Sequence, residues 1–156
     1  MHSKRVMKYV SLVVFFLDDR RYALHLEAVE RVLPSLDVTP LPKAPEIVLG
    51  IINLKGKIIP VLNIRSRFRL PEREIDLRDH FIIAKTSKRT VAIPVESASG
   101  VTEVSDVEFT DAKGIAPGLE YVEGVMKLTD GVVLIHDLEK FLSLKEEKVL
   151  EEALKE

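Results

Sequence analysis

The sequence predicts an all-β protein with short helices: two similar small β-barrels side by side, followed by a C-terminal amphipathic helix. Three observations carry that expectation. First, apolar runs of strand length are joined by short turns such as Asp18-Asp19 and Lys55-Gly56, the pattern of antiparallel hairpins. Second, the pattern occurs twice. Tyr22-Ala-Leu-His-Leu-Glu27 aligns with Val91-Ala-Ile-Pro-Val-Glu96, Val32 with Val101, and Gly50-Ile-Ile-Asn-Leu54 with Gly124-Val-Met-Lys-Leu128. Lys55-Gly56 then falls opposite Thr129-Asp130, Ile58-Ile59 opposite Val132-Val133, and Ile64 opposite Leu138. Third, each copy holds about five strands, and small antiparallel sheets of that size remove their edges by curling up.

In chain order, Tyr9–Leu17 and Arg20–Leu26 form a hairpin rich in β-branched and aromatic residues. Met1–Asp19 has the basic-then-apolar order of a signal peptide, but no small-residue cleavage site follows and the apolar run is too short to span a bilayer. It therefore reads as a first strand after a basic tail, in a soluble, cytoplasmic protein with no direct membrane insertion. Glu27–Leu33 has Val29, Val32 and Leu33 at helical spacing before Pro34, predicting a short helix or turn. Leu36–Leu41 alternates as a short strand. Ile47–Leu54 and Lys57–Leu62 are nearly continuous apolar runs, predicting a hairpin buried on both faces and followed by a short helix. Leu70–Asp79 is polar, mixed in charge, and reads as a solvated, self-paired connector.

The expected division is one domain over 1–156: a first barrel at about 9–69, the connector at 70–79, a second barrel at about 80–142 and a helix at 143–156. Ser143 and Glu146 form a capping box, and Val149, Leu150, Ala153 and Leu154 share one face, so the helix is expected to pack back on its own domain.

Chemistry is sparse. With no cysteine, disulfides, thiolate metal sites and thiol catalysis are excluded. His2, His25, His80 and His136 show no metal-ligand spacing, the serines lie in no nucleophile-elbow context, and the glycines form no phosphate-cradling run. No catalytic constellation and no cofactor or metal site is expected. Between Ile47 and Pro71 there is no acid, whereas Lys55, Lys57, Arg65, Arg67 and Arg69 are all present, so the central hairpin is expected to present isolated positive charge to a partner. A nucleic-acid contact is the weaker reading of that stripe, because Phe68 is its one nearby aromatic and the whole chain is formally −2.

The stretch Leu41-Pro-Lys-Ala-Pro45 followed by Gly50-Ile-Ile-Asn-Leu-Lys-Gly-Lys-Ile-Ile-Pro-Val61 resembles the signature of CheW-like chemotaxis coupling proteins, which usually show N-L-R-G and then P-V-x-D-L-R. The similarity continues more weakly from about Val10 to Leu142. Lys55 stands where Arg is usual and Asn63 where Asp is usual. The resemblance implies two Src homology 3-like five-stranded barrels and no enzymatic activity. It also implies an adaptor that couples the cytoplasmic hairpin tip of a methyl-accepting chemoreceptor to the regulatory domain of a CheA-type histidine kinase. Carried over by position, the receptor-facing groove is Val29, Gly50, Asn53, Lys55 and Gly56, with Arg31 and Val32 beside them. The family usually has V-x-E-I there, so Arg31 reverses a charge, and a specialised paralogue in a non-motility pathway is the alternative. The kinase-facing surface is placed near Leu26 and Leu41, with ordinary core the better reading for Leu41.

Overall fold

Four hairpins frame the described part of the molecule, and two of them are buried most completely on both faces. The computed structural model describes residues 8–111, 121–128 and 130–155. Strands β1 (Tyr9–Leu17) and β2 (Arg20–His25) form the first hairpin, and β6 (His80–Lys85) and β7 (Thr90–Val95) the third. Successive side chains of a strand point to opposite faces. In β1, Val13, Phe15 and Leu17 enter one core while Leu12 and Val14 enter another; in β6, Ile82 and Ala84 join the first of these while Phe81 and Ile83 enter a third. The shared core lies between the two hairpins.

The other two hairpins are less completely buried. They are β4 (Val48–Leu54) with β5 (Lys57–Leu62), and β10 (Val122–Leu128) with β11 (Gly131–His136). The expected double burial of the β4–β5 hairpin holds over Ile59–Leu62 of β5 but not on β4, where Leu49 and Asn53 face outward, nor at Ile58, which is 47% exposed. A continuous apolar run marks where burial is possible, and strand order decides which runs receive it.

Two sheets result. One has the order β8-β1-β2-β11-β10-β9, with β8 at Ser97–Ser105 and β9 at Phe109–Asp111; the other has the order β3-β6-β7-β5-β4, with β3 at Val29–Pro34. The repeat appears in their registers. β11 runs parallel to β2 with Ile135 beside Ala23, and β5 runs parallel to β7 with Val61 beside Ala92. These two pairs occupy aligned positions of the two copies. Both Gly-led hairpins also carry an irregularity at the same place, between Val48 and Gly50 and between Val122 and Gly124.

The expected division at 9–69 and 80–142 is not the division of the sheets. Each sheet takes its doubly buried hairpin from the other half of the chain: β1–β2 pairs with β8 and β11, and β6–β7 with β3 and β5. The chain crosses between sheets at the 3-10 turn Leu26–Ala28 and again at Glu96, whose N–H donates to the Phe16 carbonyl. Because the two copies share one apolar pattern, a hairpin satisfies the burial rule equally in either sheet, and the sequence pattern does not distinguish the pairings.

Three local expectations change for stated reasons. Glu27–Leu33 is a 3-10 turn followed by strand β3, whose bulge between Val29 and Arg31 gives the valines their helix-like spacing. Leu36–Leu41 contributes a single bridge, Thr39 to Ile51, because Pro40 and Pro42 have no N–H to donate. Its counterpart Phe109–Asp111 lacks proline and is a true strand on β10. The connector pairs with itself through Arg73–Asp79 and Arg78–Asp76, yet Asp79 is buried and Ile75 packs on a core, so that stretch is not simply solvated.

A short helix α1 (Ile64–Arg67) follows β5, and α2 (Leu144–Lys155) closes the described chain. The Ser143 hydroxyl accepts the Glu146 N–H while the Glu146 carboxylate accepts the Ser143 N–H, the reciprocal cap read from the sequence. Leu150 packs into the shared core with Phe141. Two buried or half-buried ion pairs pin the helix: Arg67 of α1 to Glu146, and Arg89 of the β6–β7 turn to Glu147 at 2.8 Å.

Candidate functional site

The tip of the β4–β5 hairpin is built from its backbone outward. Leu54 pairs with Lys57, leaving a two-residue loop in which Lys55 (φ 52) and Gly56 (φ 87) both adopt left-handed geometry. That is the turn whose twist matches flanking strands. Asn53 secures it, its side-chain oxygen accepting the Gly56 N–H at 2.8 Å. A side chain at Gly56 would meet nothing within 4 Å, so glycine is required by φ and the tip stands open to solvent. Lys57 turns back and its ammonium donates to the Thr90 hydroxyl at 2.9 Å. Lys55 has no ionic or hydrogen-bonded partner among the described residues and is exposed. A rigid turn thus carries one uncompensated cation.

The other residues implied by the resemblance are distributed differently. Gly50 is buried, and a side chain there would collide with the Thr39 carbonyl and Val38, so it permits the close passage of the 39–51 bridge. Val29, Arg31 and Val32 lie on β3, the opposite edge of the five-stranded sheet from β4. Val29 is half-buried against the shared core, Arg31 is exposed, and Val32 is 39% exposed. Leu33 of β3 and Leu54 of β4 line the same small core, so the two edges flank one interior. Leu26 is 38% exposed in the turn after β2, beside a hollow of about 470 Å³ shared with Tyr9 and His25. Leu41 packs against the shared core, which is the ordinary reading for it.

The positive stripe does not survive folding as a stripe. Arg65 is buried: its guanidinium reaches Asp18 at 2.6 Å, Glu96 at 2.8 Å and the Pro71 carbonyl at 3.0 Å. This ties the β1–β2 turn of one sheet to α1 beside the other, and the Arg65 hydrogen bond lowers the Asp18 pKa from its ordinary value. Arg67 is committed to Glu146, with its Nε donating to the Phe141 carbonyl. The carboxylate partners lie 31 to 79 residues away in sequence, so no local pattern announced them. Of the five cations, Lys55 and Arg69 are the ones left without a partner among the described residues, too few for a backbone-tracking nucleic-acid surface.

His136 is a second feature the sequence did not announce. It is stacked on Phe68 at 3.9 Å between ring centroids, with Tyr22 at 5.2 Å. Its Nδ1–H donates to the Tyr121 carbonyl at 3.3 Å, while Nε2 is buried without a partner among the described residues. Burial pushes its pKa down to about 3, so the ring is neutral at physiological pH. Packing between aromatic rings is its role.

The family model of the CheW-like domain matches residues 11–146. The chain belongs to that family. Among CheW relatives, it is 29% identical over 157 residues to the chemotaxis protein CheW of Treponema pallidum, covering 94% of this chain and 92% of that one. It is 30% identical over 119 residues to the CheW of Bacillus subtilis, covering 76% and 70% respectively. The crystal structure of the scaffolding protein TtCheW from Thermoanaerobacter tengcongensis superimposes with a TM-score of 0.81 at 26% identity, over 89% of this chain and 96% of that one. The two-sheet arrangement is therefore that of a CheW scaffold. No helix among the described residues is long and apolar enough to cross a membrane.

Proposed function

We propose that this CheW-like chain is a non-catalytic adaptor of chemotaxis signalling. It couples the cytoplasmic hairpin tip of a methyl-accepting chemoreceptor to the regulatory domain of a CheA-type histidine kinase, in the cytoplasm and at the membrane through its partners alone. Family membership and relatives named as chemotaxis and scaffolding proteins support the class of function. The observation that carries the receptor contact is Lys55: a solvent-exposed, unpaired cation held on a rigid two-residue turn. Rigidity matters because an adaptor works by holding partners in fixed relation, with binding energy as its only currency. Leu26, exposed beside Tyr9, offers the kinase-facing contact, and Leu41 is assigned to packing.

Arg31 supports a narrower reading. Exposed on β3 where the family usually carries an acid, it puts a cation on the edge opposite β4 and re-sorts partners by repulsion as well as attraction. A specialised paralogue outside swimming motility fits that change.

The test is a titration of wild type, Lys55→Glu and Lys55→Arg against a receptor signalling fragment, with melts in parallel. Lys55→Glu is expected to weaken binding by about 1–3 kcal/mol while stability stays within about 0.5 kcal/mol, as at most surface positions. Lys55→Arg is expected to bind as well or better, because a guanidinium forks onto a carboxylate. Equal affinity for all three proteins would remove this turn from the contact.

A further inference from the structure

We propose that the groove at the base of the β4–β5 hairpin docks a short basic segment of a partner protein that carries an aliphatic side chain between its cations. The groove holds about 1080 Å³ and lies between the start of β4, α1, the connector and the first turn of α2. Its apolar wall comes from Val38, Ile47, Leu49 and Ile75, and Leu49 is 41% exposed because β4 is an edge strand and turns alternate side chains outward.

The charge of the groove follows from which of its ions are already used. Its two arginines are spent. Arg67 is bound to both carboxylate oxygens of Glu146 and to the Phe141 carbonyl, and Arg73 grips buried Asp79 through two nitrogens at 2.9 and 3.0 Å. Glu46, Glu72 and Glu74 are exposed and have no ionic or hydrogen-bonded partner among the described residues. Three free carboxylates therefore rim an aliphatic wall with no free cation among the groove's own residues. Arginine suits that rim, since its fork pairs with carboxylates while its stem lies along apolar surface. The sign excludes nucleic acid and anionic lipid as occupants.

This surface is independent of the receptor reading. β4 spans seven residues, so the groove and the Lys55 tip lie about 20 Å apart at strand rise. They are also opposite in charge. The acidic, apolar groove beside the base of the hairpin and the cationic tip of the hairpin thus suit different partners.

The experiment is a fluorescence-anisotropy titration with a labelled peptide alternating arginine and leucine, and with its glutamate-for-arginine counterpart. The proteins are wild type, the triple variant Glu46→Gln/Glu72→Gln/Glu74→Gln, Leu49→Ser and Lys55→Glu. Melts confirm folding, and amide shifts locate the bound peptide. The basic peptide is expected to bind wild type and shift the amides of Leu49 and Ile75. The triple variant is expected to bind about tenfold more weakly or worse. Leu49→Ser is expected to weaken binding even in raised salt, and Lys55→Glu to leave it unchanged. Equal binding by the triple variant, equal binding of the acidic peptide, or shifts confined to other faces would overturn the proposal. Self-association of wild type that the triple variant abolishes would also overturn it, by making a second copy the occupant.

Discussion

The hairpins β4–β5 and β10–β11 hold equivalent places in the two sheets, yet their tips have opposite fates. In both, the residue after the turn meets an aligned position of the neighbouring hairpin: Lys57 meets Thr90, and Gly131 lies against Arg21. In the second case Arg21 also holds Asp130, at 2.9 Å from its carboxylate and 3.1 Å from its carbonyl. That hydrogen bond lowers the Asp130 pKa from its ordinary value. In the first case the threonine occupies Lys57 and leaves Lys55 untouched. One repeat has tied its tip to the body of the protein, and the other leaves its tip cation without a partner among the described residues. The two copies are similar scaffolds, and one surface contact, Arg21 to Asp130, distinguishes the tethered tip from the other.

The largest departure from symmetry comes after these hairpins, where one copy continues into the connector and the other into α2. Deleting Lys145–Glu156 removes Leu150 and Leu154 from the shared core, takes away buried Ala153, and strands Arg67 and Arg89 without their acids. Denaturant unfolding should show a loss of about 3–5 kcal/mol, mostly from apolar burial. An unchanged midpoint would mean that the shared core closes without the helix.

Gly50 and Gly124 test the equivalence itself. A methyl group at Gly50 collides with the Thr39 carbonyl, and one at Gly124 with the Thr110 carbonyl and the Phe109 ring. Gly50→Ala and Gly124→Ala should each cost about 3 kcal/mol by overpacking. A large effect at one and none at the other would break the structural repeat at its best-matched position.

His136 stands opposite Leu62, so the titration belongs to one copy alone. Its folded pKa of about 3 lies below the unfolded value of 6.5, so the native state resists protonation. Stability is therefore full above pH 6.5 and falls as acid is added, by about 2 kcal/mol at pH 5 and further toward pH 3. His136→Leu, which copies Leu62, should remove this component from a pH series of unfolding curves. A slope identical to wild type would assign the acid sensitivity to other groups.

The smallest effect is expected at Asp130, which is 73% exposed at its side chain. Asp130→Ser should leave the melting temperature close to wild type, since exposed ion pairs contribute little. It should also release the Arg21 guanidinium, seen as faster side-chain motion by NMR relaxation. If instead Arg21 stays as rigid as before, the tip is held by packing and the comparison with Lys55 loses its basis.

The sequence by itself determined the hairpins, their turns, the internal repeat, the capped terminal helix and the family. These depend on local rules: alternation across a strand, left-handed geometry at Lys55-Gly56, and a cap closed between Ser143 and Glu146. The tertiary structure decided which hairpin completes which sheet, and which cations remain free. Two alike copies satisfy the same apolar pattern in either pairing, so burial alone is degenerate between them. Arg65 was legible as one basic residue among five, and its meeting with Asp18 and Glu96 depends on that pairing. Lys55 stands out with Arg69 because the fold neutralised or occupied Lys57, Arg65 and Arg67 and left these two cations unpaired among the described residues. Charge in a sequence counts the ions, and the fold determines how many of them still face a partner.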